Sequence, residues 1–275
     1  MLHKILRGIA PVFVFAAAFA TSGCDGNISI NGEKGVPLAE LDTAGKSPTG
    51  IVLAGPDSVI VTQGSELKIE ASGDADAVAA LRFSLKDDTL GIMRDSDAKN
   101  TEGKARVMVT LPLLEKVVLA GSGTLESASL SGEAEVTIAG SGTAKTDGVD
   151  ASSLEVTIAG SGTYRASGKT AELELTIAGS GAGDMAGLTA DKAEVTIAGS
   201  GKAAFASEGT VEANVMGSGD VTVSGNAKCT IKSMGSGTLH CNPANTTTTE
   251  AGAGATTPPA PPVPPAPPSA PATPE

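Results

Sequence analysis

One motif returns at a nearly constant interval and leaves the chain few possible folds. Its copies read VVLAGSG, VTIAGSG, VTIAGSG, LTIAGSG, VTIAGSG, VMGSG and SMGSG, and the first Gly of each Gly-Ser-Gly falls at 121, 140, 160, 179, 199, 217 and 235. The steps are 19, 20, 19, 20, 18 and 18 residues. A short fixed period marks a solenoid, in which each unit packs only against its neighbours. Inside each copy apolar and polar residues alternate, as along a strand: Val136 and Ile138 flank Thr137, and Val156/Ile158, Leu175/Ile177, Val195/Ile197 and Ala213/Val215 repeat the pattern. Beyond the corner the alternation resumes in Tyr164/Ala166, Val221/Val223 and Leu239/Cys241. Each period therefore holds at least two short strands joined at a corner, where glycine permits positive φ and close stacking. The pattern predicts an all-β chain, a right-handed parallel β-helix with coils of about 19 residues. Gly55-Pro56-Asp57 reads as a degenerate earlier copy. Positions six before and six after each corner should face each other across the core. Leu154/Ala166 and Ala193/Phe205 pair large with small, Leu173/Met185 pairs large with large, Val211/Val223 pairs medium with medium, and the last pair is Cys229/Cys241.

The two ends do not belong to this core. Met1–Gly8 carries Lys4 and Arg7, and the twelve residues Ile9–Ala20 are apolar. Such a run is too short to span a bilayer and fits the core of an export signal. It ends in Thr21-Ser22-Gly23-Cys24, which resembles a bacterial lipobox with Thr in place of the usual Leu. That resemblance implies a signal over 1–23 and acylation of Cys24, anchoring the chain at about 0.8 kcal/mol per buried methylene. The alternative is an ordinary signal and a free thiol. Asp25 resembles an inner-membrane retention signal, so the envelope leaflet, inner or outer, stays open. Residues 24–50 read as a polar tether, 51–243 as the folded domain, and 244–275 as a disordered Thr/Ala/Pro tail holding ten of sixteen prolines.

The lead-in VTLPLLEKVVLAGSG (109–123), the serial Gly-Ser-Gly corners, and the stretches DSVIVTQGSELKIEAS and DDTLGIMRD resemble the head GIN domain family of auto-transporter adhesin-like envelope proteins. The resemblance covers about 51–241 and implies a β-helix at a bacterial surface or periplasm, with no catalytic residues to carry over. Residues 64–110 are less regular. A helical turn near 75–81 and strands at LKIEA, RFSL, LGIM and RVMV would cap the first coil.

Composition narrows the function. Without the signal, 17 Lys and Arg face 31 Asp and Glu, a formal charge of −14. Only Phe83, Tyr164 and Phe205 remain as aromatic rings. Neither phosphate neutralisation nor base stacking is available, so nucleic acid is excluded as a partner. Gly45-Lys46-Ser47 and Gly168-Lys169-Thr170 mimic the end of a phosphate loop but lack its upstream Gly and a following helix, which excludes nucleotide binding. No Gly-x-Ser-x-Gly elbow exists, and His240 and Cys241, adjacent on a strand, point to opposite faces.

Glu135, Glu155, Glu174, Glu194 and Glu212 each lie five residues before a corner. Stacked coils place them in a column with a spacing of about 4.8 Å, where neighbouring charges repel by roughly 1 kcal/mol even in water. Two readings stand: a solvated acidic stripe, or a stripe for calcium or a cationic partner, although no RTX-type GGxGxD motif is present. Cys229 and Cys241, exported into an oxidising compartment, are expected to form a disulfide that locks the last coil. The function these features favour is a lipid-anchored envelope protein with a non-catalytic binding, adhesion or structural surface. A polysaccharide-processing β-helix enzyme is the alternative.

Overall fold

The computed structural model describes Ile30, residues 32–95, Ala98, residues 103–241 and the backbone of Thr246–Glu250. The strands join in one sheet of 17, hydrogen-bonded almost throughout to parallel neighbours one coil away. The period resolves into three strand segments per coil, one more than the sequence alternation displayed. In the coil of Thr143–Gly160, residues 143–146, 149–151 and 153–160 form three sides, and register shifts mark the bends between them.

The corners stack for a steric reason. Corner glycines from Gly121 to Gly235 hold φ between +115° and +135°. A Cβ on Gly160 would sit 2.6 Å from the carbonyl oxygen of Gly140, and one on Gly179 would sit 2.5 Å from that of Gly160. The second Gly of each motif is constrained by packing instead: a Cβ on Gly162 would come within 2.5 Å of Ile138 Cγ2. Gly55 is the first corner. Ala54 lies opposite Ala120, and a Cβ on Gly121 would meet the Gly55 carbonyl at 2.9 Å.

Register carries like residues onto like. Val136, Val156, Leu175, Val195, Ala213 and Ile231 form one buried column, and Ile138, Ile158, Ile177, Ile197 and Val215 form another. Burying each Val, Leu or Ile of these columns contributes about 1.5–3 kcal/mol. Tyr164 fits inside because its stacking neighbours are Ala144 and Gly183. Its hydroxyl donates to Thr146 Oγ1 at 3.1 Å, and Thr146 in turn shares a 2.8 Å hydrogen bond with Ser127. Burial pushes the Tyr164 phenol up to about 12.

Antiparallel elements close the N-terminal end. Leu81–Lys86 and Thr89–Arg94 form a hairpin that turns at Asp87 and Asp88, with φ of 50° and 56°. Thr89–Arg94 then pairs parallel with Gly50–Ala54, and Lys68–Gly73 pairs antiparallel with Ala105–Leu111. Helix Ala75–Ala79 is capped by Asp74, whose Oδ1 accepts from the amides of Asp76 and Ala77. This cover protects the first coil from edge pairing.

Two boundaries differ from the sequence reading. Residues 24–50 were expected to be a tether, but from Val36 onward the chain docks on the domain. Val36 and Phe83 exchange backbone hydrogen bonds of 2.8 Å, and Leu38 and Leu41 pack on the core. Ile30 joins Val52, Ala54, Met93 and Val118 in a second apolar cluster outside the solenoid. Burial of these scattered apolar residues outweighs the polar character of the segment. At the other end, Thr246–Glu250 pairs parallel with Lys228–Gly235, so the sheet runs past residue 243. The expected signal over 1–23 and the expected tail from 251 onward lie outside the described residues.

Candidate functional site

The chemistry-bearing side chains stand in outward columns. Register aligns Lys116, Glu135, Glu155, Glu174, Glu194 and Glu212 along the longest side of the solenoid. Both ends of the acidic run are closed by cations. Lys116 Nζ meets Glu135 Oε2 at 2.8 Å, and Lys232 pairs with Glu212. Lys192 Nζ meets Glu172 Oε1 at 2.5 Å beside the column. Glu155, in the middle, is raised above its ordinary value of 4.5 by partial desolvation, then by the charges of Glu174 and Glu135. The carboxylates stand in single file. Among the described residues no three acidic, His or Cys groups come together as a metal site, whereas calcium takes six to eight converging oxygens.

A concave region lies on the side that follows the corners. This trough, of about 500 Å³, reaches from Thr163 and Arg165 across Ala182 and Asp184 to Lys202, Ala204, Asp220, Thr222 and His240. Two outward columns build it. One runs Thr163, Ala182, Lys202, Asp220 and Thr238; the other runs Arg165, Asp184, Ala204, Thr222 and His240. The dip arises where alanines replace long side chains, at Ala182 and Ala204. Around it, Arg165 Nε donates to Asp184 Oδ2 at 3.2 Å, and Thr238 Oγ1 donates to Asp220 Oδ1 at 2.5 Å. Sequence reasoning missed this trough because beyond each corner it followed only the inward residues. Aligning the outward residues after each corner would have exposed the two alanines.

Cys229 and Cys241 are joined as a disulfide, with Cα atoms 6.5 Å apart. They occupy the positions six before and six after Gly235 that face each other across the core. His240, next along the strand, is exposed at the end of the trough. Cys24 lies outside the described residues.

The profile of a family described as "Putative auto-transporter adhesin, head GIN domain" matches residues 47–227. The chain belongs to this family. A search of curated proteins returns no match. Solved structures share the GIN-domain fold. A Bacteroides fragilis protein described as a putative adhesin is 20% identical with a TM-score of 0.63, covering 71% of this chain and 92% of its own. A Parabacteroides distasonis protein described as a putative lipid binding protein is 20% identical with a TM-score of 0.55, covering 73% and 98%. A Parabacteroides merdae putative adhesin matches at 20% identity and TM-score 0.56, covering 73% and 98%. At this identity the likeness concerns the GIN-domain fold. The acidic column and the trough are features of this chain's own residues.

Proposed function

We propose that this GIN-domain chain is a cell-envelope lipoprotein, held by acyl groups on Cys24, whose solenoid is a non-catalytic binding surface. The observation that carries the reading is the trough. It is open, it is built on rigid stacked strands, and its Arg165–Asp184 pair is 55% exposed on both partners. An ion pair this exposed is screened by water and lacks the enclosed, water-excluding setting in which a catalytic group gains its power. The adhesin and lipid-binding descriptions of the fold neighbours support the same reading, and the Thr21-Ser22-Gly23-Cys24 sequence supports the anchor. Labelling with radioactive palmitate and membrane fractionation test it. Wild type should carry label and sediment with membranes, and Cys24→Ala should be unlabelled and soluble. Salt-resistant membrane association of Cys24→Ala would remove the anchor.

One observation favours the polysaccharide-processing alternative: Asp184, Asp220 and Arg165 line the same trough. Release of new chain ends from an acidic polysaccharide by the purified protein, lost in Asp184→Asn, would establish it.

A further inference from the structure

The C-terminal pole is covered on one side and open on the next. On the longest side, Thr246–Glu250 pairs parallel with Lys228–Gly235, and Cys229 and Ile231 beneath it are buried. On the side that follows the corner, Thr238–His240 pairs with Asp220–Ser224 along one edge, and among the described residues no strand meets its other edge. Leu239, the inward residue of that strand, and Cys241 both pack on the core yet are only half-buried. Val221, aligned with Leu239 one coil earlier, is fully buried. An open parallel edge over an unfinished core is a template for another strand.

Register identifies that strand. Each residue of Thr246–Glu250 lies 17 positions after its partner, from Cys229 to Ser233. Carried forward, the same offset sets Ala251-Gly252-Ala253-Gly254 on Met234-Gly235-Ser236-Gly237, and Ala255-Thr256-Thr257 on Thr238-Leu239-His240. Both corner glycines are matched. Alanine also precedes the corner glycine in earlier coils, at Ala120, Ala139, Ala159, Ala178 and Ala198. The next residue is Pro258, which has no N–H to extend a ladder, so the match stops with Thr257 on His240, the last residue of the open strand. In register, the positions that follow Cys229, Ile231 and Leu239 are Thr246, Thr248 and Thr256. Threonine at all three suits a terminal repeat, which needs a polar end face.

We propose that the open edge of Thr238–His240 is the docking site of residues 251–257 of the same chain, which turn one further corner and complete the last coil. In this register Ala253 and Ala255 donate to the carbonyls of Gly235 and Gly237, as Ser236 and Thr238 donate to those of Gly217 and Gly219 at 2.9 and 3.0 Å. The alternation of a parallel ladder then has the Leu239 amide donate to Ala255 and the Leu239 carbonyl accept from Thr257. Alanine and glycine bury little apolar area, so docking protects this edge locally and adds little to the global melting temperature. The Pro-rich remainder starts beside His240, at the end of the trough.

Hydrogen exchange of the intact protein, read at single amides, tests this. The Leu239, Ala253 and Ala255 amides should be protected. Leu239 should exchange about tenfold or more faster in a chain ended after Glu250. A chain ended after Thr257 should keep the protection, and Gly252→Val, with a Cβ against the coil below, should lose it. Equal exchange of Leu239 in the intact chain and in the chain ended after Glu250, whether fast or slow, would overturn the docking. Loss of protection in the chain ended after Thr257, or its survival in Gly252→Val, would overturn the register. Protection that rises with protein concentration in the chain ended after Glu250 would give the edge to a second copy instead.

Discussion

Arg94 closes the end of the glycine corner stack on Asp57. Its Nε donates to Asp57 Oδ2 at 2.8 Å and its Nη2 to Asp57 Oδ1 at 2.6 Å, and the amide of Ala105 adds a third hydrogen bond to Oδ1 at 2.8 Å. Asp57 takes the place of the second Gly in the degenerate first corner, and Arg94 is the last residue of the strand that covers it. The hydrogen bonds that Arg94 donates to Asp57, and then the charge of that carboxylate, hold the guanidinium above its ordinary range. Asp57 is only 1% exposed. Removing one partner of a buried pair strands the other. Asp57→Ala should cost about 3 kcal/mol or more in chemical denaturation. Adding Arg94→Met to that variant should recover part of the loss. Equal stability of Asp57→Ala and wild type would refute the cap.

The corners make a sharper contrast between adjacent residues. Gly160→Val and Gly179→Val should each lose about 2 kcal/mol or more, because both the positive φ and the carbonyl of the coil below oppose a Cβ. Ser161→Ala, at an exposed residue next to Gly160 whose backbone amide donates to the Gly140 carbonyl, should be near neutral. Thermal melts of the three variants decide it, and an unchanged midpoint for Gly160→Val counts against the stacking.

The acidic column should make stability depend on pH. Glu155 has a folded pKa above its unfolded value. Its favourable contribution is therefore full below pH 4.5 and is lost as pH rises through the folded value. Above that window Glu155→Gln should melt higher than wild type, and the gap should close on acidification. The triple change Glu155, Glu174 and Glu194 to Gln should enlarge the gap. If millimolar calcium raises the wild-type melting temperature and the triple variant loses that rise, the stripe binds cations despite its single-file geometry.

The C-terminal coil offers a test of the disulfide and of the domain boundary together. The closed loop spans 12 residues, worth about 3 kcal/mol by loop entropy. Alkylation of the unfolded, unreduced protein followed by mass spectrometry should find no free thiol at Cys229 or Cys241. Truncation after Glu250 should leave the melting temperature near wild type, and truncation after Pro243 should lower it, since only the second removes a paired strand.

How much of this was legible depended on whether the signal repeats along the chain. The corners, the acidic column and the facing positions of Cys229 and Cys241 could be read by counting residues, because register in this fold is one period and each coil copies the last. The Asp57–Arg94 contact could not, since it joins residues 37 apart through an antiparallel cap that breaks the period. Ile30, Val36, Leu38 and Leu41 carry no period, so their docking is visible only in contacts. The strand Thr246–Glu250 was hidden by its composition, although threonine favours strands and the following Ala251-Gly252-Ala253-Gly254 repeats the Ala-Gly-x-Gly order of the corners.

The stacking also sets a length. Nine strand-to-strand steps lead from Thr89–Arg94 at the capped end to Thr246–Glu250 at the other, or roughly 40 Å at the usual strand spacing. The segment that enters near Ile30 and the segment that leaves after Glu250 therefore depart from opposite poles of a stiff rod. Whatever each terminus is attached to is kept apart by a distance that the number of coils fixes, so that adding or deleting one period would move the two attachments by about 4.8 Å, as a ruler is lengthened or cut by one division.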